Sequence, residues 1–184
     1  MKRTLKYVPF LLLVLLTFSA CSGQTAKEPP QEEAANSSAD ITLNTFASSF
    51  GYTMDYDPHL FYVLTDESSD NFELIDRQTE QSPTVYVMVQ RVGGYTVSEY
   101  TDLLAGKALD GVYSVTESTF GANERDAVTV TYASETDLGL VYYAETIVKV
   151  GSDLLYIEVV TYDGMSANIN TAIEKMLSTF AVKE

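Results

Sequence analysis

Two stretches of this chain, 84–92 (TVYVMVQRV) and 154–162 (LLYIEVVTY), read as β-strands that are apolar on both faces. In the first, Val85, Val87 and Val89 occupy one face while Tyr86 and Met88 occupy the other. In the second, Leu155, Ile157 and Val159 oppose Leu154, Tyr156 and Val160. A sheet with one wet face alternates polar and apolar residues along each strand, and these strands do not. Whatever sheet they enter must be covered on both sides.

The neighbouring segments supply candidates for that cover. Thr96 opens a helix, and Glu99 three residues on completes the capping-box pattern. Val97, Tyr100, Leu103, Leu104 and Ala108 then fall on one stripe, and Gly111 closes the segment. A second helix is expected over 166–180, with Ile169, Ile173, Met176, Leu177 and Phe180 at helical spacing. Strand-like runs fill 51–57, 60–65, 72–75, 112–119, 127–133 and 138–150. Gly121-Ala122-Asn123 and Gly151-Ser152-Asp153 provide turn chemistry between neighbours. Connections this short favour antiparallel pairing, because parallel strands need long crossovers. The expected fold class is α+β, a three-layer α/β/α sandwich around a mostly antiparallel sheet. Either 43–49, as a helix, or loops would complete the third layer.

Residues 1–20 have a different grammar. Lys2, Arg3 and Lys6 precede an apolar run from Val8 to Phe18, and the small pair Ser19-Ala20 leads into Cys21. That order is the layout of a secretory signal, and the run is well short of the ~20 residues of a membrane-spanning helix. Phe18-Ser19-Ala20-Cys21 resembles the lipobox of bacterial lipoproteins, although Phe18 stands where that family usually has Leu, Val or Ile. The resemblance implies cleavage between Ala20 and Cys21 and a diacylglyceryl group on Cys21. Two acyl chains meet the need of a stable anchor for more than one hydrophobic signal. The simpler alternative is an ordinary thiol at the end of a plain secretory signal. Residues 22–40 (SGQTAKEPPQEEAANSSAD) lack aromatic and large aliphatic residues and read as a disordered linker. Such a linker reaches roughly 25 Å. The domains expected are thus 1–20 signal peptide, 21–40 lipidated cysteine and linker, and 41–184 one folded domain.

Loss of residues 1–20 would leave 8 basic against 26 acidic residues, a formal charge of −18. A surface this acidic argues against nucleic acid as a partner and against electrostatic adhesion to anionic lipid. The lipid would hold the protein to the membrane alone. Cys21 is the only cysteine, so no disulfide can form within the chain.

The order of elements in 41–184 is similar to the PsbP-like α/β/α sandwich. Gly51-Tyr52-Thr53-Met54-Asp55-Tyr56-Asp57-Pro58 resembles that family's opening strand running into a proline. Val97 to Leu104 resembles its first long helix, and Met176-Leu177-Ser178-Thr179-Phe180 its closing one. The chain departs from the family in having no tryptophan after the proline, a space that Phe61 can fill. The resemblance implies an interaction module rather than an enzyme.

Residues with chemistry are few. His59 is the only histidine and follows Pro58 at a strand junction, where a surface turn residue is the ordinary explanation. No nucleophile–base pair is apparent, so no catalytic residue and no cofactor is assigned. Asp55 and Asp57 share a strand face, and Asp66, Glu67, Asp70 and Glu73 cluster in the next loop. That loop lacks EF-hand spacing, and no metal site is assigned. Three functions follow as expectations. First comes a lipid-anchored, extracytoplasmic, non-catalytic module that binds an envelope protein or a small ligand. The alternatives are a carboxylate-based cell-wall glycan enzyme, and an accessory lipoprotein that binds a small ligand or divalent cation.

Overall fold

The computed structural model describes residues 43–75, 84–108 and 111–183, all of them within one unit, 38–184. The expected signal segment, the cleavage site at Ala20 and Cys21, and the linker lie outside the described residues.

The strands form two sheets. In the larger, the order is β3 (Phe61–Thr65), β4 (Ser69–Leu74), β5 (Tyr86–Val92), β9 (Asp153–Tyr162), β8 (Gly139–Val150), β7 (Arg125–Thr136) and β6 (Tyr113–Phe120). Every described pairing is antiparallel. The smaller sheet has β2 (Tyr52–Tyr56) between β1 (Asn44–Ala47) and β10 (Ala181–Val182). The fold is therefore α+β, with α1 (Val97–Ala105) and α2 (Ala167–Thr179) as its two described helices.

Strand β9 carries the double-faced pattern into the interior. Leu155, Ile157 and Val159 join a core with Val87, Val89, Phe72 and the buried stripe of α2, Ile169, Ile173 and Met176. Leu154 and Tyr156 join a second core with Leu104 of α1, Val130 and Ile147. Alternate residues of one strand thus serve two separate cores, as the sequence demands.

Helix α1 begins as its sequence dictates. Thr96 Oγ1 accepts the Glu99 N–H, and Glu99 Oε2 accepts the Thr96 N–H at 2.8 Å. It stops at Ala105, short of Gly111, because Gly106 is a poor helix former. Lys107 and Ala108 follow in a turn beneath which Ala108 is buried.

Residues 43–49 do not form a helix. Asn44 to Ala47 pair with Tyr56 to Thr53, and a turn at Ser48–Gly51 closes the hairpin. Thr45 and Phe46 suit a strand, and Gly51 supplies the positive φ (87°) that the turn requires. The sheet that results packs on the α2 core through Tyr52, Met54 and Val182. Tyr52 stacks on Phe180, with ring centroids 4.9 Å apart. Gly121 is needed for a different reason: its φ is +72°, and a Cβ there would collide with the Phe180 carbonyl oxygen. That carbonyl accepts the Ala122 N–H at 2.8 Å.

Candidate functional site

Five of the six acidic residues singled out in the sequence, all but Glu67, accept hydrogen bonds from neighbouring groups. Asp66 accepts from the Ser68 and Ser69 backbone N–H groups and the Ser68 hydroxyl, which hold its carboxyl below the usual carboxylate range. Asp70 is buried and accepts the Ser48 and Tyr52 hydroxyls at 2.5 and 2.9 Å. Asp55 accepts from Thr45, Asp57 from the His59 N–H, and Glu73 from Tyr62. His59 itself is exposed. Among the described residues no three acidic, histidine or cysteine side chains are grouped to hold a metal ion. These carboxylates build turns and strand pairs.

A second pair of carboxylates lies elsewhere, under α1. Glu145 of β8 and Glu158 of β9 are direct cross-strand partners. Directly opposed residues put their Cβ atoms about 4.5–5.5 Å apart on one face of the sheet. Glu145 has no exposed surface. Its Oε1 accepts three donors: Lys107 Nζ at 2.7 Å, Tyr156 OH at 2.7 Å and Tyr132 OH at 3.3 Å. Its Oε2 finds no hydrogen-bond partner among the described residues. Buried polar atoms are rarely left so, because the lost hydration costs about 1–3 kcal/mol.

Register shows what surrounds the pair. Two residue pairs along the ladder, on the same face, Val160 stands between Tyr86 of β5 and Tyr143 of β8, and Tyr143 in turn faces Tyr132 of β7. The Tyr132 and Tyr143 rings stack, 4.8 Å apart and nearly parallel. In the other direction, Tyr156 stands between Gln90 and Ile147. Tyr100 of α1 meets the Tyr156 ring edge-on, and Lys107 Nζ lies 5.2 Å from its centroid. Glu158, Tyr86, Tyr132 and Tyr143 are half-buried, so the pair keeps some contact with solvent on the Glu158 side and none at Glu145.

Electrostatics follow from this packing. Burial and the neighbouring Glu145 push the Glu158 carboxyl above the usual carboxylate range, against the opposing pull of Lys107 and the Tyr156 and Tyr86 hydroxyls. Burial, together with the adjacent carboxylates, raises the phenols of Tyr86, Tyr132 and Tyr156. All therefore stay protonated and available as donors. The arrangement can hold positive charge. Glu145 has no exposed surface, so Glu158 is the carboxylate of the pair that meets solvent.

Beside the N-terminal turn of α1, an open hollow of about 850 Å³ is bordered by Val97, Glu117, Val128, Ile147 and Lys149. Its border mixes both charges with apolar surface.

Sequence reasoning missed the Glu145–Glu158 pair, since the two residues lie 13 positions apart on strands whose register was unknown. The available signal was a glutamate as the one charged residue in each of two mostly apolar runs, VYYAETIV and LLYIEVV. A charged residue in such a run needs a buried partner.

No protein-family model matches the chain, and neither does any curated protein. Solved structures do resemble it. A Bacteroides thetaiotaomicron protein aligns over 76% of this chain at 16% identity with a TM-score of 0.53. The alignment takes in 48% of that protein, so the present chain spans about half its length. LpqN of Mycobacterium tuberculosis, a protein involved in cell envelope biogenesis, aligns over 79% of this chain and 92% of its own, at 12% identity and a TM-score of 0.51. These are likenesses of fold.

Proposed function

We propose that this chain is a lipid-anchored binding module of the bacterial cell envelope, held outside the cytoplasm through Cys21 and working without catalysis. The observation that carries the reading is the order of the leader: basic residues, apolar run, small pair and then the sole cysteine, ahead of a polar linker and a domain with its own cores. The fold shared with LpqN, an envelope-biogenesis protein, supports the same compartment. For the architecture we adopt the three-layer reading, with α1 over one face of the large sheet and α2 with the small sheet over the other. The PsbP-like family stays a proposal that rests on the short motifs around Pro58, α1 and Phe180.

The glycan-enzyme alternative is disfavoured by position. Glycosidase carboxylates face each other across the bond to be cut, with room for sugar between them. Glu145 and Glu158 are neighbours on adjacent strands, and Glu145 is fully buried.

Mass spectrometry of protein from a native host tests the anchor. The expected result is an N-terminus at Cys21 carrying fatty acid; an intact leader, or a mature end without acyl groups, overturns it. A pull-down from detergent-solubilised membranes tests the module. A specific partner is expected, and recovery of nothing beyond the Cys21→Ala control counts against the reading.

A further inference from the structure

Glu145 and Glu158 together bring two carboxyl groups to one face of the sheet, and the described residues bring one ammonium, that of Lys107. That ammonium satisfies Glu145 Oε1 alone, while Oε2 of the same buried side chain is left without a partner among the described residues. With both carboxyls ionised, the pair is one positive charge short. The way Lys107 is held shows what kind of charge the site accommodates. Its Nζ contacts Glu145 at 2.7 Å and the Tyr156 hydroxyl at 3.2 Å, and it lies over the Tyr156 ring. Carboxylate, phenol and ring face are the groups that bind an organic ammonium. A hard divalent cation instead takes six to eight oxygens, usually from several carboxylates and carbonyls. Two carboxylates among tyrosines fit the first description.

We propose that the Glu145–Glu158 pair is a receptor for a second ammonium group, a primary alkylamine that enters along the Tyr86–Tyr143 row and seats against Glu158 and the unpartnered Oε2 of Glu145. The inference rests on the binding-module reading and names the chemistry of its ligand. A free amine and a lysine side chain of a partner protein share that chemistry. Lys107, whose side chain is 40% exposed, already fills the first of the two ammonium positions.

The test uses the full chain in detergent at pH 7.5, with n-butylammonium chloride and a short lysine-containing peptide as probes. Sodium chloride at equal ionic strength and calcium chloride serve as comparisons. Tyrosine ring resonances are followed by NMR, and Tm is measured alongside, since a ligand that binds only the folded state raises it. The expected result is a saturable shift of the Tyr86 and Tyr143 rings and a rise in Tm with n-butylammonium. Both should weaken at least ten-fold in Glu158→Gln and persist in Glu174→Gln on α2. A larger response to the peptide assigns the amine to a protein partner; an equal response assigns it to a free amine. No saturable response, a response unchanged in Glu158→Gln, or a response to calcium alone overturns the proposal. The circular dichroism spectrum of Glu158→Gln establishes that the variant folds. Membrane pull-downs with wild type and Glu158→Gln separate the two levels of inference. Equal recovery of a specific partner without any amine response overturns the amine receptor and leaves the module reading standing. No partner above the Cys21→Ala control overturns the module reading itself.

Discussion

At the scale of single residues, the buried carboxylates make the sharpest energetic statements. The folded environment lifts the Glu158 carboxyl above its ordinary value, chiefly by burial and then by Glu145. Above pH 4.5 the folded state therefore holds a proton that the unfolded chain has released. Stability falls as pH rises from there through the folded-state value, and the full loss persists above it. Glu158→Gln cannot ionise, so the variant should unfold at higher temperature than wild type at pH 7–8. The solvent at its open side keeps the gain to about 1 kcal/mol or less. By pH 4 the two melting curves should coincide. Lys107 makes the opposite case. Lys107→Met strips Glu145 of its cation while leaving the carboxylate fully buried, which should cost about 3 kcal/mol in urea unfolding at pH 7. Adding Glu145→Gln should recover part of that loss, because the uncompensated charge goes with it. A double-mutant cycle that shows simple additivity would deny the pairing.

At the scale of elements, the strands and helices were largely legible and their partners were not. The capping box at Thr96 and Glu99 announces α1 because both halves of the motif lie within one turn. Thr96→Ala should destabilise by about 1 kcal/mol and speed amide exchange through the first turn of α1 before the rest of the domain responds. The apolar faces of β5 and β9 told of cover on both sides, since that is a property of each strand alone. Strand β1 was missed because four residues carry too little periodicity to tell a strand from a helical turn; its pairing with β2 decides it. The two-residue β10 left no pattern at all. The Glu145–Glu158 site was invisible for a related reason, as register is settled by the whole sheet. Gly121 likewise reads as an ordinary turn glycine until Phe180 is found against it. Gly121→Ala combines an unfavourable φ with a backbone collision, and should cost upward of about 2 kcal/mol by thermal or urea unfolding.

At the scale of the whole molecule, anchoring and folding should be separable. The described cores are built from residues of 43–183, and Cys21 lies outside the described residues. Cys21→Ala should thus move the protein from the membrane to the soluble fraction on cell fractionation, with Tm unchanged within about a degree. A fall in Tm would mean that the leader or linker contributes to the fold. The small sheet carries one more consequence. Strand β10 completes it by pairing with β2, and Phe180 just before it fills the space against Tyr52 and Phe120. Some 130 residues separate those partners, so this part of the core closes only after β10 has emerged, long after β2. Under the proposed export, a chain built this way stays threadable until β10 arrives on the far side.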